Sequence, residues 1–92
     1  MASETLDKAL EREIVLDFPI QLADKKLAVV KMRRPVMADF LKHDKTGTEL
    51  EMEFGMIADL CGLVPEDLEK MDCCDYEKLV EQFFLFRGIP RL

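Results

Sequence analysis

Side chains able to do covalent or metal chemistry are few in this chain and badly spaced for it. The one histidine, His43, stands in a polar, basic stretch with no obvious acid, base or ligand partner beside it, and is expected as an exposed loop residue. A nucleophilic dyad would need a Ser or Cys brought against it by the fold. Structural zinc is usually announced by C-x₂₋₄-C pairs with a second pair or His ligands. Cys73 and Cys74 are adjacent, Cys61 is remote from them, and only one His exists, so no metal is expected. An odd cysteine count favours reduced thiols over a disulfide framework. Cys61 falls on an apolar helical stripe, one of the adjacent pair is expected to be buried beside Tyr76, and a place near a helix N-terminus would lower the thiol pKa. Carboxylates are abundant but do not converge: Glu49, Glu51 and Glu53 spread over a helix surface. Asp17 and Asp39 interrupt apolar stretches, and Asp39 is placed to offset Arg33 or Arg34. Gly47 and Gly55 stand alone, so there is no phosphate-cradling loop. No enzymatic activity and no cofactor are expected, and a binding role remains.

The charge distribution says what such a role would favour. Residues 1–24 carry net −4, residues 25–45 net +5, residues 46–81 net −9 and the last eleven +2. The basic group Lys31, Arg33, Arg34, Lys42 and Lys45 lacks interleaved aromatics and is followed by the acidic half. Nucleic acid is therefore not the expected partner, and proteins are. Three Phe in four residues, Phe83, Phe84 and Phe86, exceed what one core stripe requires. Phe84 and Phe86, with the adaptable Met52 and Met56, are the expected apolar contact surface for a partner. Arg33 and Arg34 would form a basic rim and the helix from Glu49 an acidic one.

The elements that must position these residues follow from periodicity. With 92 residues, 49% hydrophobic and 35% charged, the chain has the composition of one small folded domain. No stretch approaches a membrane span, and the opening MASETLDKALER lacks the pattern of a signal peptide, so a cytoplasmic location is expected. Residues 1–12 read as a flexible arm, 13–88 as a single α+β domain and 89–92 as a tail. Ile14, Leu16, Phe18 and Ile20 alternate against Val15, Asp17 and Pro19, which predicts a strand over 13–20 with those four on one inward face. Pro19 places it at an edge or an end. A second strand over 26–33 completes an antiparallel hairpin, which needs packed helices to be stable. Pro35 opens a short helix through Val36, Met37, Phe40 and Leu41. Thr48 and Glu51 form a capping box for a helix over 49–61 with Leu50, Phe54, Ile57 and Cys61 as its stripe. Gly55 within it implies close approach of a neighbour. Gly62 stops this helix, and a short one follows from Pro65. Asp72 caps the last helix, 73–87, with Asp75 as an imperfect capping-box partner and Tyr76, Leu79, Val80, Phe83 and Phe86 inward. Gly88 ends it. The fold class is α+β: an N-terminal antiparallel β-hairpin followed by three or four short packed helices.

This order of features resembles the small tail assembly chaperones of tailed bacteriophages, the family that includes those of Mu-like phages. The resemblance spans about residues 14–88. It is carried by Arg33-Arg34-Pro35 after the strand pair, with Asp39 beyond it, by Cys61-Gly62-Leu63 at the end of the acidic helix, by Asp67-Leu68-Glu69-Lys70-Met71-Asp72, and by paired Phe closing the last helix. Val36 stands where the family often has Thr, and Val64 where a Thr cap is usual. The resemblance implies a non-enzymatic protein of the host cytoplasm, absent from the mature virion. It would bind tape measure protein while major tail protein polymerises around it, and a homo-oligomer is compatible with that role. The residues alone also admit a small regulatory or antitoxin-like protein-binding module.

Overall fold

The computed structural model describes residues 6–90. Strand β1 (Glu11–Gln21) pairs antiparallel with β2 (Lys26–Arg33) in a two-stranded sheet, starting slightly earlier than the alternation predicts. The register runs from Glu11 opposite Arg33 to Val15 opposite Val29, then resumes at Ile20 opposite Leu27. Between these points Leu16, Asp17, Phe18 and Pro19 face Ala28 alone, so β1 bulges. A bulge is where a strand tolerates Pro19, which has no N–H to give to the ladder.

The bulge also corrects one expectation of the alternating pattern. Leu16 and Ile20 are buried, but Phe18 is 58% exposed, because the extra residues rotate its side chain off the inner face. The freed N–H groups of Asp17 and Phe18 donate to the two carboxylate oxygens of Asp75, at 2.8 and 2.9 Å. Asp75 is fully buried and belongs to the last helix. It therefore leaves the cap to Asp72, which alone accepts from the Cys74 N–H at 2.9 Å.

Four helices follow: α1 (Met37–His43), α2 (Glu49–Cys61), α3 (Pro65–Leu68) and α4 (Cys73–Arg87). The α2 cap is the capping box that Thr48 and Glu51 imply, with both reciprocal hydrogen bonds formed at 3.0 and 3.1 Å. Gly62 ends α2 with φ 67°, a left-handed conformation in which a Cβ would be strained. The hairpin lies across α2 and α4: β2 meets α2, and β1 meets α4. Their shared core holds Leu16, Ile20, Val30 and Met32 from the sheet, Met56, Ile57 and Leu60 from α2, and Leu79, Phe83 and Phe86 from α4. Burial along α2 deepens toward its C-terminal half, so Leu50, at the head of the stripe, remains 63% exposed. The architecture is the α+β hairpin-and-helices arrangement that the periodicity predicts.

Of the 1–12 stretch expected as an arm, residues 1–5 lie outside the described residues. From Asp7 to Arg12 the chain is tied to the last helix and to itself. The Asp7 N–H donates to the Leu85 carbonyl at 2.9 Å, and its carboxylate takes Arg12 at 2.7 Å and Gln82 at 2.7 Å. In the stretch expected as a tail, Ile89 donates its N–H to the Phe84 carbonyl at 3.2 Å, and residues 91–92 lie outside the described residues.

Candidate partner-binding surface

Helix α1 has only seven residues, so it can bury a single stripe. Phe40 takes that place, its ring stacked on Phe83 with centroids 6.1 Å apart. Met37 and Leu41, four apart and hence on one side of the helix, are left 72% and 76% exposed. Beside them the C-terminal end of α4 presents Phe84, half-buried and edge-on to Phe83 at 5.8 Å. The Arg87 guanidinium lies 5.0, 5.2 and 5.6 Å from the ring centres of Phe40, Phe83 and Phe84. Cation–π attraction thus holds an exposed Arg against three rings. Met37, Phe40, Arg87 and Ile89 border a shallow depression of about 330 Å³. Met37, Phe40 and Ile89 around an Arg, with Leu41 exposed on the same side of α1 as Met37, have the composition of a protein contact site.

The six residues that the sequence nominates divide between surface and interior. Phe84 lies on this patch, and Met52 is half-buried on α2. Phe86 and Met56 are 2% and 5% exposed core residues, because the hairpin lies over the face of α4 and α2 that carries them. They have no side-chain surface to offer. Arg33 donates two hydrogen bonds to Asp39, at 2.7 and 2.9 Å, and Asp39 also accepts the Val36 N–H at 2.8 Å. The Arg–Pro element and the acid beyond it therefore serve to lock the end of β2 to the start of α1. The Arg33 guanidinium lowers the Asp39 carboxyl below its usual value against the effect of burial. Arg34 lies over Phe86 and donates to the backbone carbonyls of Phe86, at 2.7 Å, Ala9 and Asp7. It closes the C-terminal end of α4, whose last carbonyls lack helical partners. Both arginines are paired within the chain: Arg34 is half-buried on α4, while Arg33 keeps a 46% exposed side chain beside Asp39.

Sequence reasoning missed Met37, Leu41, Arg87 and Ile89. Spacing gave no signal, because positions 37, 40 and 41 share one helical face and only the tertiary structure decides which of them is covered.

The reactive residues are accounted for structurally. His43 is not a free loop residue: it ends α1 with its side chain 13% exposed and Nε2 2.7 Å from Asp59 Oδ2. A Cβ at Gly55 would meet its ring at 2.9 Å, so His43 makes the close approach that this glycine implies. Lys42 reaches the same Asp59 oxygen at 2.8 Å, and the two bases, Lys42 foremost, hold that carboxyl below its ordinary value. Together they join α1 to α2.

Cys61, Cys73 and Cys74 are free thiols. Cys73 and Cys74 are both exposed, against the expectation that one is buried beside Tyr76. Burial pushes the Cys61 thiol up to about 12. The Cys74 thiol is pushed up to about 11, chiefly by Asp72, with burial and the charges of Asp75 and Asp17 adding to it. Acids around the start of α4 overcome the helix N-terminus, which reverses the expected lowering. Among the described residues, Asp17, Cys74 and Asp75 bring ligand-type atoms within 4.8 Å of one another. The Lys78 ammonium already lies 3.0 Å from Asp17 and 3.2 Å from Asp75, and donates to the Val15 carbonyl at 3.0 Å. This cluster is the fastening of the bulge to α4. Burial would raise the Asp75 carboxyl, but the two backbone N–H groups and Lys78 outweigh it and hold it below the usual range.

No helix among the described residues is long and apolar enough to cross a membrane. The fold is an antiparallel hairpin clamped onto four short helices, with an apolar surface around Arg87. Residues 13–88 match the family of phage tail assembly chaperone proteins, E, or 41 or 14, and the chain belongs to that family. Membership implies interaction with phage tail proteins during assembly. No curated protein and no solved structure matches the chain.

Proposed function

We propose that this protein is a non-enzymatic chaperone that binds phage tape measure protein and assists polymerisation of major tail protein around it, acting in the host cytoplasm and leaving no copy in the mature virion. The observation that carries this reading is the exposed apolar side of α1, Met37 and Leu41, with Arg87 lying over Phe40 beside Met37 and touching the half-buried Phe84. A client whose helices expose apolar stripes before assembly is kept soluble by a surface that covers those stripes, and a few apolar residues beside an Arg supply most of such affinity. Family membership supplies the context of tail assembly.

The test is co-expression with the tape measure protein of the same phage. Leu41→Glu and Met37→Glu change side chains that are already exposed and should leave the thermal melt unchanged while reducing recovery of soluble client. Phe84→Ser should do the same at a modest cost in stability, through loss of its contacts with Phe83 and Arg87. Full client recovery with all three variants, each still folded by circular dichroism, would remove the patch from the proposed role.

A further inference from the structure

A second apolar depression lies on another part of the surface, between α2, α3 and the start of α4. Its floor is Leu50, Phe54, Leu68 and Met71. It consists of two adjoining hollows of about 550 and 370 Å³ that share Leu50, Phe54 and Glu69, so together they form one open groove. Glu51, Glu53, Glu69 and Glu77 stand along it, and among the described residues no Lys, Arg or His lines either hollow. Two of these acids are fixed by the fold. Glu51 belongs to the capping box with Thr48, and Glu53 accepts the Tyr76 hydroxyl hydrogen bond at 2.7 Å. The rim is thus a built feature with single-sign charge, beside an apolar floor.

A matching occupant needs an apolar ridge for the floor and bases on its flanks. Helices of a second copy do not provide that combination. Among the described residues the helical bases are Lys42, His43, Lys78 and Arg87, and His43 is held against Asp59. Lys42 is paired with Asp59, Lys78 with Asp17 and Asp75, and Arg87 lies over three phenyl rings. The bases must come from another protein.

We propose that this groove docks an amphipathic helix of a partner protein, with an apolar stripe flanked by Lys or Arg. The inference rests on the chaperone reading only for who supplies the helix, and assigns that reading a second contact site with a defined client chemistry. The apolar side chains of the helix enter the two hollows, and its bases meet the glutamate rim, which sets orientation and rate of encounter.

The experiment titrates the intact protein with a synthetic helical peptide of about 18 residues bearing a Leu stripe with flanking Lys, and with a control in which Glu replaces Lys. The Leu/Lys peptide should bind, weaken between about 50 and about 500 mM salt, and slow alkylation of the groove-lining Cys73. Leu50→Ser and Glu69→Lys should each weaken it by about tenfold or more, while Glu81→Gln, outside the groove, should not. Circular dichroism establishes that each variant is folded. Equal binding of the Leu/Glu peptide, or binding indifferent to Leu50→Ser and Glu69→Lys, would overturn the proposal. So would sedimentation showing a dimer that the peptide splits, since a second copy would then fill the groove. If Leu41→Glu still abolishes client recovery while the peptide fails, the groove falls and the chaperone reading stands. If the peptide binds as described while every patch variant retains full client recovery, the reverse holds.

Discussion

Replacing Asp75 with Ala tests whether one buried carboxylate fastens the sheet to the helices. In the folded chain Asp75 accepts the Asp17 and Phe18 N–H groups at 2.8 and 2.9 Å and pairs with Lys78 at 3.2 Å, with no solvent exposure of its own. A hydrogen bond to a charged acceptor contributes about 1.5–3 kcal/mol, and deleting it leaves amides of the bulge without a ladder partner. Lys78 is 36% exposed and keeps Asp17, so the two hydrogen bonds from the bulge carry the expected loss for Asp75→Ala, about 3–6 kcal/mol. That is a large fraction of the roughly 5–15 kcal/mol that stabilises a typical domain. Asp75→Asn keeps one carbonyl acceptor and loses the charge, so its cost should be smaller. Asp72→Ala removes only an exposed helix cap, at about 1 kcal/mol. Urea denaturation followed by circular dichroism at neutral pH gives all three values. Hydrogen exchange should show the Asp17 and Phe18 amides losing protection first in Asp75→Asn. If Asp75→Ala costs less than about 1 kcal/mol, or no more than Asp72→Ala, the carboxylate is not the fastening described, and an ordinary capping role would account for it.

Two further outcomes follow from the same geometry. Leu16→Ala should cost about 2–5 kcal/mol, whereas Phe18→Ser, on the bulge surface, should change a denaturant melt by less than about 1 kcal/mol; equal costs would contradict the bulge. The Asp39, Asp59 and Asp75 carboxyls all sit below their ordinary values in the folded chain, so the unfolded chain binds more protons in acid. Their contribution is present above the unfolded carboxylate pKa of about 3.9 and is lost as pH falls through the lower folded values. The melting temperature should therefore be steady near neutrality and fall steeply below about pH 4, less steeply in Asp75→Asn, and a flat acid profile would refute this linkage.

Much of the element order was legible in the residues. The alternation from Ile14 marks a strand, Thr48 and Glu51 announce a cap, and Gly62 and Gly88 end their helices. Each of these is a local property of a few neighbouring residues, governed by side-chain periodicity or by the backbone groups left open at a helix end. Arg33 and Asp39 were legible for the same reason, since six residues around a turn suffice to bring them together.

What contact sites need was less legible, because exposure depends on which elements happen to cover a face. Phe86 and Met56 have the right chemistry for a partner surface, yet the hairpin lies across them. Met37, Phe40 and Leu41 share a helical face, yet only Phe40 is covered, by Phe83, while Met37 and Leu41 stay exposed. Asp75 looks like a cap in sequence, but the Asp17 and Phe18 amides that claim it are more than fifty residues away. Local pattern by itself determined the hairpin, the order of helices and most of their ends. Only the tertiary structure decided the bulge, the use of Asp75 and Arg34 as fastenings, and the position of the apolar patch and the groove, because each depends on contacts between segments that no local spacing encodes.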